Sequence, residues 1–232
     1  FDILVMNRMN KKLFDQSFEN ILLGKVESML LWSKSMTHPD GEISFFNDSA
    51  MNIAPKINEL EKYFHDCFKH MIYPKKQFTH HRASNFCVVE KEKYKAILDT
   101  AEIGPNYNPG HAHADSLSFE LSIGKSRMIV NSGISTYESN IDRHLQRGTS
   151  AHSTVEVEDT NSSDVWQSFR VGKRASIFDF KIDEDKPLAK ISASHDGYNH
   201  FLKKCVHNRA WYFNEAFIRI RDSLIGRNVK SI

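Results

Sequence analysis

Two imidazoles and a carboxylate alternate in the stretch Gly110-His111-Ala112-His113-Ala114-Asp115. Alternate side chains of an extended backbone share a face. His111, His113 and Asp115 are therefore expected to point the same way as Leu117, Phe119 and Leu121, whose apolar types mark the buried side of a strand. Polar groups led into a buried face need partners, since leaving them unpaired costs free energy. A metal ion or a closed hydrogen-bond network would satisfy them. Imidazoles, with an unperturbed pKa of about 6.5, are also the usual proton carriers near neutral pH. The bland alternative is a histidine pair that merely caps a polar strand edge. The preceding loop, from Ala101 to Gly110, is rich in Gly, Pro and Asn and delivers these groups to the strand, with Asn106 its candidate for touching a substrate.

Further polar residues follow in Asn131-Ser132-Gly133, Tyr137, Arg143, Arg147 and Ala151-His152-Ser153-Thr154. Each alone has an ordinary reading: packing for Tyr137, solvated charge for either arginine, a satisfied histidine for His152. A cupin also carries His-x-His on a strand, with a glutamate three or four residues beyond the second histidine. Here the next glutamate is Glu120, too far along and of the wrong parity, so a cupin metal site is not expected.

The elements that must position these residues change in character along the chain. The first 72 residues read as helical. Leu22, Val26, Met29 and Leu30 recur at helical spacing between Phe18 and Met36. His38-Pro39-Asp40-Gly41 is a stop and turn signal. A second helix begins near Pro55, with an apolar face of Ile57, Leu60, Phe64, Cys67, Phe68 and Met71, and ends at Pro74. Two such helices cannot close a core and must lie against other parts of the chain.

From residue 78 the period becomes that of strands: Phe86–Val89, Tyr94–Leu98, Leu117–Ile123 with a hairpin into Met128–Val130, then Thr154–Glu158, Arg174–Ile182, Leu188–Ser194, His200–Asn208 and Ala216–Arg221. Strands at such intervals without an intervening helical pattern predict an antiparallel sandwich. The boundary is expected near residues 73–80, at Pro74-Lys75-Lys76-Gln77.

Composition narrows the function classes. Of 232 residues, 40% are hydrophobic and 26% charged, which describes a globular chain rather than a disordered one. A net charge of +2 is too mild to argue for nucleic acid, and there is no basic stripe with interleaved aromatics. No apolar run is long enough to span a bilayer. Three widely spaced cysteines, Cys67, Cys87 and Cys205, argue against a disulfide framework. The chain begins at Phe1 without a signal-like segment, which suggests a fragment.

Taken in order, Gly-His-Ala-His-Ala-Asp-Ser-Leu-Ser-Phe-Glu-Leu, Val-Asn-Ser-Gly, Tyr137, Arg-x-x-x-Arg-Gly-Thr, Ala-His-Ser-Thr-Val and Ser162–Ala175 resemble the heparinase II/III-like family. The earlier Trp32…His-Pro-Asp-Gly…Phe-Asn-Asp-Ser stretch looks like the end of that family's helical domain. The resemblance implies a mainly β fold with a helical N-terminal segment. Residues 1–75 would be the last helices of an incomplete (α/α) toroid, and residues 76–232 an antiparallel β-sandwich, expected to be cut short at its C-terminal end.

It also implies a polysaccharide lyase that cleaves uronic-acid-containing chains by β-elimination, most like members associated with bacterial exopolysaccharide. The partner would be an acidic polysaccharide, and the location periplasmic or secreted. His111 matches the catalytic histidine and Tyr137 a catalytic or substrate-binding tyrosine. His113 and His152 match ligands of a structural metal, commonly zinc. Asn131 stands where metal-binding members have aspartate, which weakens the expected site. Arg143 and Arg147 are candidates for gripping substrate carboxylate or sulfate through guanidinium forks. The family's remaining catalytic Tyr, His and Asn lie upstream in the toroid, so half a site is expected here. A non-catalytic glycan-binding module and a hydrolase on the same scaffold are the alternatives.

Overall fold

The computed structural model describes residues 2–10, 13–69, 77–184, 188–199 and 204–226. Three helices come first: α1 (Asp2–Asn10), α2 (Gln16–Ser35) and α3 (Ile57–Phe68). Their apolar stripes meet in one cluster of Leu4, Val26, Leu30, Phe64 and Phe68, with Leu22, Ile57, Leu60 and Cys67 packed around it. Met29, expected on the buried stripe, is exposed instead, because the core-facing stripe of α2 runs through Val26 and Leu30. The C-cap residue of α3 is Lys69, in a left-handed conformation, so this helix stops before Pro74. Met71, Pro74 and most of the expected linker lie outside the described residues, as do the first residues of the strand expected from His200.

Five antiparallel strands follow as a meander, β1 (Phe78–His81), β2 (Phe86–Glu90), β3 (Tyr94–Asp99), β4 (Phe119–Ile123) and β5 (Ser126–Ile129), paired in chain order. A second sheet contains β8 (Ile177–Asp183), β9 (Ala189–His195), β10 (Cys205–Phe213) and β11 (Ile218–Gly226), ordered β11-β10-β9-β8. Between the two sheets connect α4 (Ile141–Arg147) and the short hairpin of β6 (Val165–Trp166) and β7 (Arg170–Val171). The fold is thus mainly β with helices at the N-terminus.

The sheets pack face to face through Cys87, Val89, Ala96, Leu98, Leu117 and Phe119 on one side and Ile191, Ala193, Trp211 and Phe213 on the other. The opposite face of the first sheet, Phe86, Val88 and Ile97, packs on Met36 and Phe46 of the helical segment. Burial on both faces explains why β2 and β3 read as continuous apolar runs rather than alternating ones.

Polar ties fix the helical segment to that sheet. The Lys95 ammonium donates to the Thr37 carbonyl (2.6 Å) beyond the end of α2, and Arg127 grips Asp40 of the His-Pro-Asp-Gly turn and the Ile43 carbonyl just after it. In the same turn, His38 bridges Ser122 (2.6 Å) and Glu120 (2.7 Å). Buried Glu120 also accepts the backbone N–H groups of Phe45 and Asn131. Among the described residues, no disulfide joins the cysteines and no helix is long and apolar enough to cross a membrane.

Three expectations are corrected. Residues 111–118 are irregular rather than strand, and β4 starts only at Phe119, after Leu117 with φ 61°. Thr154–Glu158 is not a strand: the Thr154 hydroxyl is spent on the Ser116 carbonyl (2.8 Å), and Glu158 and Asp159 both take positive φ in a tight turn. Finally, α4 interrupts a region expected to hold no helix. Its signal is short, seven residues capped by the Asn140 side chain on the Arg143 N–H.

Candidate functional site

The site is built around Asp48, a residue that sequence reasoning had not singled out. Asp48 lies in a turn following buried Phe46, with Asn47 at φ 53°. The Ser49 carbonyl of this turn accepts the Ile134 N–H (3.0 Å). Gly133 makes that approach possible: with φ 59°, any Cβ there would fall 2.5 Å from the Ser49 carbonyl oxygen.

Four donors converge on the Asp48 carboxylate. His111 Nδ1 lies 2.7 Å from Oδ2 and His113 Nε2 lies 2.9 Å from Oδ1. Arg143 adds a fork, with Nη1 on Oδ1 and Nη2 on Oδ2. Burial pushes this carboxyl up, but the hydrogen bonds from His113, Arg143 and His111 outweigh it and hold the group well below the usual carboxylate range.

The three alternating residues do not share a face. The His111 side chain is 59% exposed, whereas that of His113 is fully buried. Asp115 turns away altogether, accepting the Asn47 N–H and lying beside Asp99. The parity argument fails because it presumed an extended backbone where Arg147 bends one. The Arg147 guanidinium donates to the Ala112 carbonyl (3.1 and 2.9 Å), and its own carbonyl accepts the Ala114 N–H (2.9 Å). Helix α4 thus holds both sides of His113.

Asp99 and Asp115 form a buried pair whose carboxyls sit well above the ordinary range, both raised by burial and Asp99 also by repulsion from Asp115. A raised folded-state pKa means the fold favours the protonated form, so the stabilisation is present below about pH 4 and lost as pH rises. Asp99→Asn should therefore become more stable relative to the parent as pH increases, with the gap closing towards acid. Denaturant titrations across that range check this; curves that stay parallel would contradict it.

His152 and Asn131 complete the interior side. His113 Nδ1 and His152 Nε2 face each other at 3.0 Å, and His152 Nδ1 lies 2.7 Å from the Gly148 carbonyl. A carbonyl only accepts, so His152 carries its hydrogen on Nδ1, and Nε2 is bare when the ring is neutral. The Asp48 carboxylate imposes the same logic on His113, whose Nδ1 is then bare too. Burial depresses both imidazoles, His152 down to about 3, so both favour the neutral form. Two lone pairs therefore converge. Asn131, adjacent through its Oδ1 to the Ser153 N–H (3.3 Å), has a buried Nδ2 with no partner. Among the described residues no group of three or more His, Cys, Asp or Glu side chains is placed to hold a metal ion.

On the outer side, His111 meets two aromatic rings, Tyr137 at 5.9 Å and Phe169 at 5.7 Å between centroids. Arg143 lies 5.3 Å from each of those rings. Arg143 and Arg147 are fully buried, so neither presents a guanidinium to solvent. Asn106 sits exposed in the loop and, among the described residues, makes no hydrogen bond to this cluster.

Residues 74–230 match the family model described as Heparinase II/III-like, C-terminal. No curated protein matches at the sequence level. Among solved structures, the heparan sulfate lyase HepC from Pedobacter heparinus superposes with a TM-score of 0.65 at 20% identity, over 95% of this chain and 35% of that one. A crystal structure of heparinase III gives 0.65 at 17% identity, over 92% and 35%. The chain thus spans about a third of the length of these structures, and at such identities the likeness is one of fold.

Proposed function

The chain belongs to the heparinase II/III-like family, and on that premise we propose that its protein is a polysaccharide lyase that cleaves a uronic-acid-containing chain by β-elimination. One observation carries the reading: a buried carboxylate fixes the tautomer of an exposed histidine. Ionised Asp48 accepts from His111 Nδ1, so a neutral His111 turns its basic Nε2 outward, beside the Tyr137 ring. That is the arrangement of an oriented general base.

β-Elimination needs a base for the C5 proton, an acid for the departing O4, and neutralisation of the sugar carboxylate. In this reading His111 Nε2 removes the C5 proton and the Tyr137 hydroxyl protonates O4. Arg143 and Arg147, candidates for gripping the substrate, have their donors spent on Asp48 and backbone carbonyls. We assign them to positioning, and carboxylate neutralisation to other residues; Asn106, exposed in the loop before His111, is the candidate. The substrate would be a surface or exopolysaccharide, and the protein periplasmic or secreted.

We place one zinc or other divalent ion on His113 and His152, with Asn131, whose buried Nδ2 has no partner, as the third candidate; the ion's charge would replace the missing proton between two bare nitrogens. Bound there, the ion would supply rigidity, anchoring His113 and through it Asp48.

The test uses protein expressed from its complete gene and a panel of polyuronides, following ultraviolet absorbance of unsaturated uronate ends. His111→Ala should abolish a signal that the parent produces. Unchanged turnover in that variant would remove His111 from the chemistry.

A further inference from the structure

The hairpin of β6 and β7 is held in an unusual way. Its backbone carbonyls are taken up by two buried arginines: Ser168 by Arg143 Nε and Nη2 (3.0 and 2.8 Å), Gln167 and Arg170 by Arg147 (3.1 and 3.3 Å). Gln167, at φ 47°, makes the turn. The same two guanidinium groups hold Asp48 and the backbone before His113. The tip is therefore built rigidly into the frame of the catalytic histidine.

What this frame presents outward is a phenyl ring. Phe169 is 45% exposed and Tyr137 49%, and their centroids lie 5.5 Å apart. Phe169 also meets the His111 ring edge to face at 77°. Its backbone passes close over Gly110, where an added Cβ would lie 3.5 Å from both the Phe169 Cβ and its carbonyl oxygen. The hairpin's anchoring runs through main-chain carbonyls, so it does not require an aromatic side chain at position 169. An exposed ring held still beside a base has paid little entropy to bind a flat, partly apolar ligand.

We propose that Phe169, with Tyr137, forms a stacking wall for the pyranose ring seated at His111, and that it is a substrate-binding residue of this site. The ligand class is a pyranose whose C–H face is free of substituents, since the Phe169 ring offers a π-face and no hydrogen-bond donor. This rests on the lyase reading for its ligand, but not for its geometry.

The experiment measures binding and turnover separately. The protein is titrated calorimetrically with hexasaccharides of heparosan, polymannuronate and polygalacturonate, as parent, Phe169→Ala and Phe169→Tyr. Phe169→Ala should bind the preferred oligosaccharide about tenfold more weakly, and Phe169→Tyr within about twofold of the parent. Equal affinity in Phe169→Ala, or no binding of any of the three by the folded parent, would overturn the proposal. If affinity follows the ring but no unsaturated product forms, the stacking wall stands and the lyase reading falls. If cleavage proceeds with KM unchanged in Phe169→Ala, the lyase reading stands and the wall falls.

Discussion

Asp48→Asn should lower turnover by about 10²–10⁴-fold while KM moves little, the loss expected when a general base is no longer held in its working tautomer. The amide keeps the shape of the carboxylate, but it can offer an N–H where an acceptor is required. His111 Nδ1 then loses its anionic acceptor, and its hydrogen is free to move to Nε2, the atom meant to take the substrate proton. The same substitution removes the counter-charge of Arg143, whose other side-chain hydrogen bonds, among the described residues, go to the Ser168 carbonyl. Breaking a buried pair on one side typically costs about 3–5 kcal/mol. Rates should therefore be read well below the unfolding midpoint, with circular dichroism confirming the fold. A folded Asp48→Asn protein with parental turnover would contradict the role given to Asp48.

Removal of metal should have the second largest effect. The protein is expected to carry one divalent ion, lost in His113→Ala and in His152→Ala. At a metal concentration about 1,000-fold above Kd, the bound ion would contribute about 4 kcal/mol of stability, so chelation should lower Tm measurably. Asn131→Asp should tighten binding by adding a charged ligand.

A second histidine pair in the same chain supplies the control. His195 Nε2 and His207 Nδ1 also lie 3.0 Å apart and buried. There, however, the Gly197 N–H donates to His195 Nδ1, which places the His195 hydrogen on Nε2, facing a bare His207 Nδ1. His207 Nε2 then donates to Asp222, a carboxylate that burial pushes up but that His207 and Arg209 draw down to about 2. Every hydrogen in that chain has an acceptor, and no cation is called for. Substituting His195 or His207 should leave metal content unchanged. Metal analysis by mass spectrometry of the variants decides this; protein that remains metal-free when purified with zinc would contradict it.

What could be read from the chain alone follows from the range of the interactions involved. Most strands of the two sheets were legible because their signals are local, a continuous apolar run at Phe86–Val89 and an alternation at Leu188–Ser194, whereas β1 was not among those expected. His111, Tyr137 and Phe169 come together from loop segments fixed by Arg143 and Arg147, and the alternation of His111, His113 and Asp115 was misleading because α4 bends that backbone. Asp48 was the hardest to find. It is one carboxylate in a turn, 63 residues before His111, and nothing in its neighbourhood announces that four donors will meet on it. Its only sequence signal was the Phe-Asn-Asp-Ser stretch seen in the family resemblance. Phe169 carried no polar chemistry to notice, and its exposure is a property of the folded hairpin.

The central claim is that the bond is broken by elimination and not by water. Cleavage of the preferred polyuronide in water enriched in heavy oxygen, followed by mass spectrometry of the fragments, addresses it directly. The account predicts fragments with unsaturated ends and no heavy oxygen at the break. Saturated fragments, with one heavy oxygen per broken bond carried at the new reducing end, would show hydrolysis and contradict it.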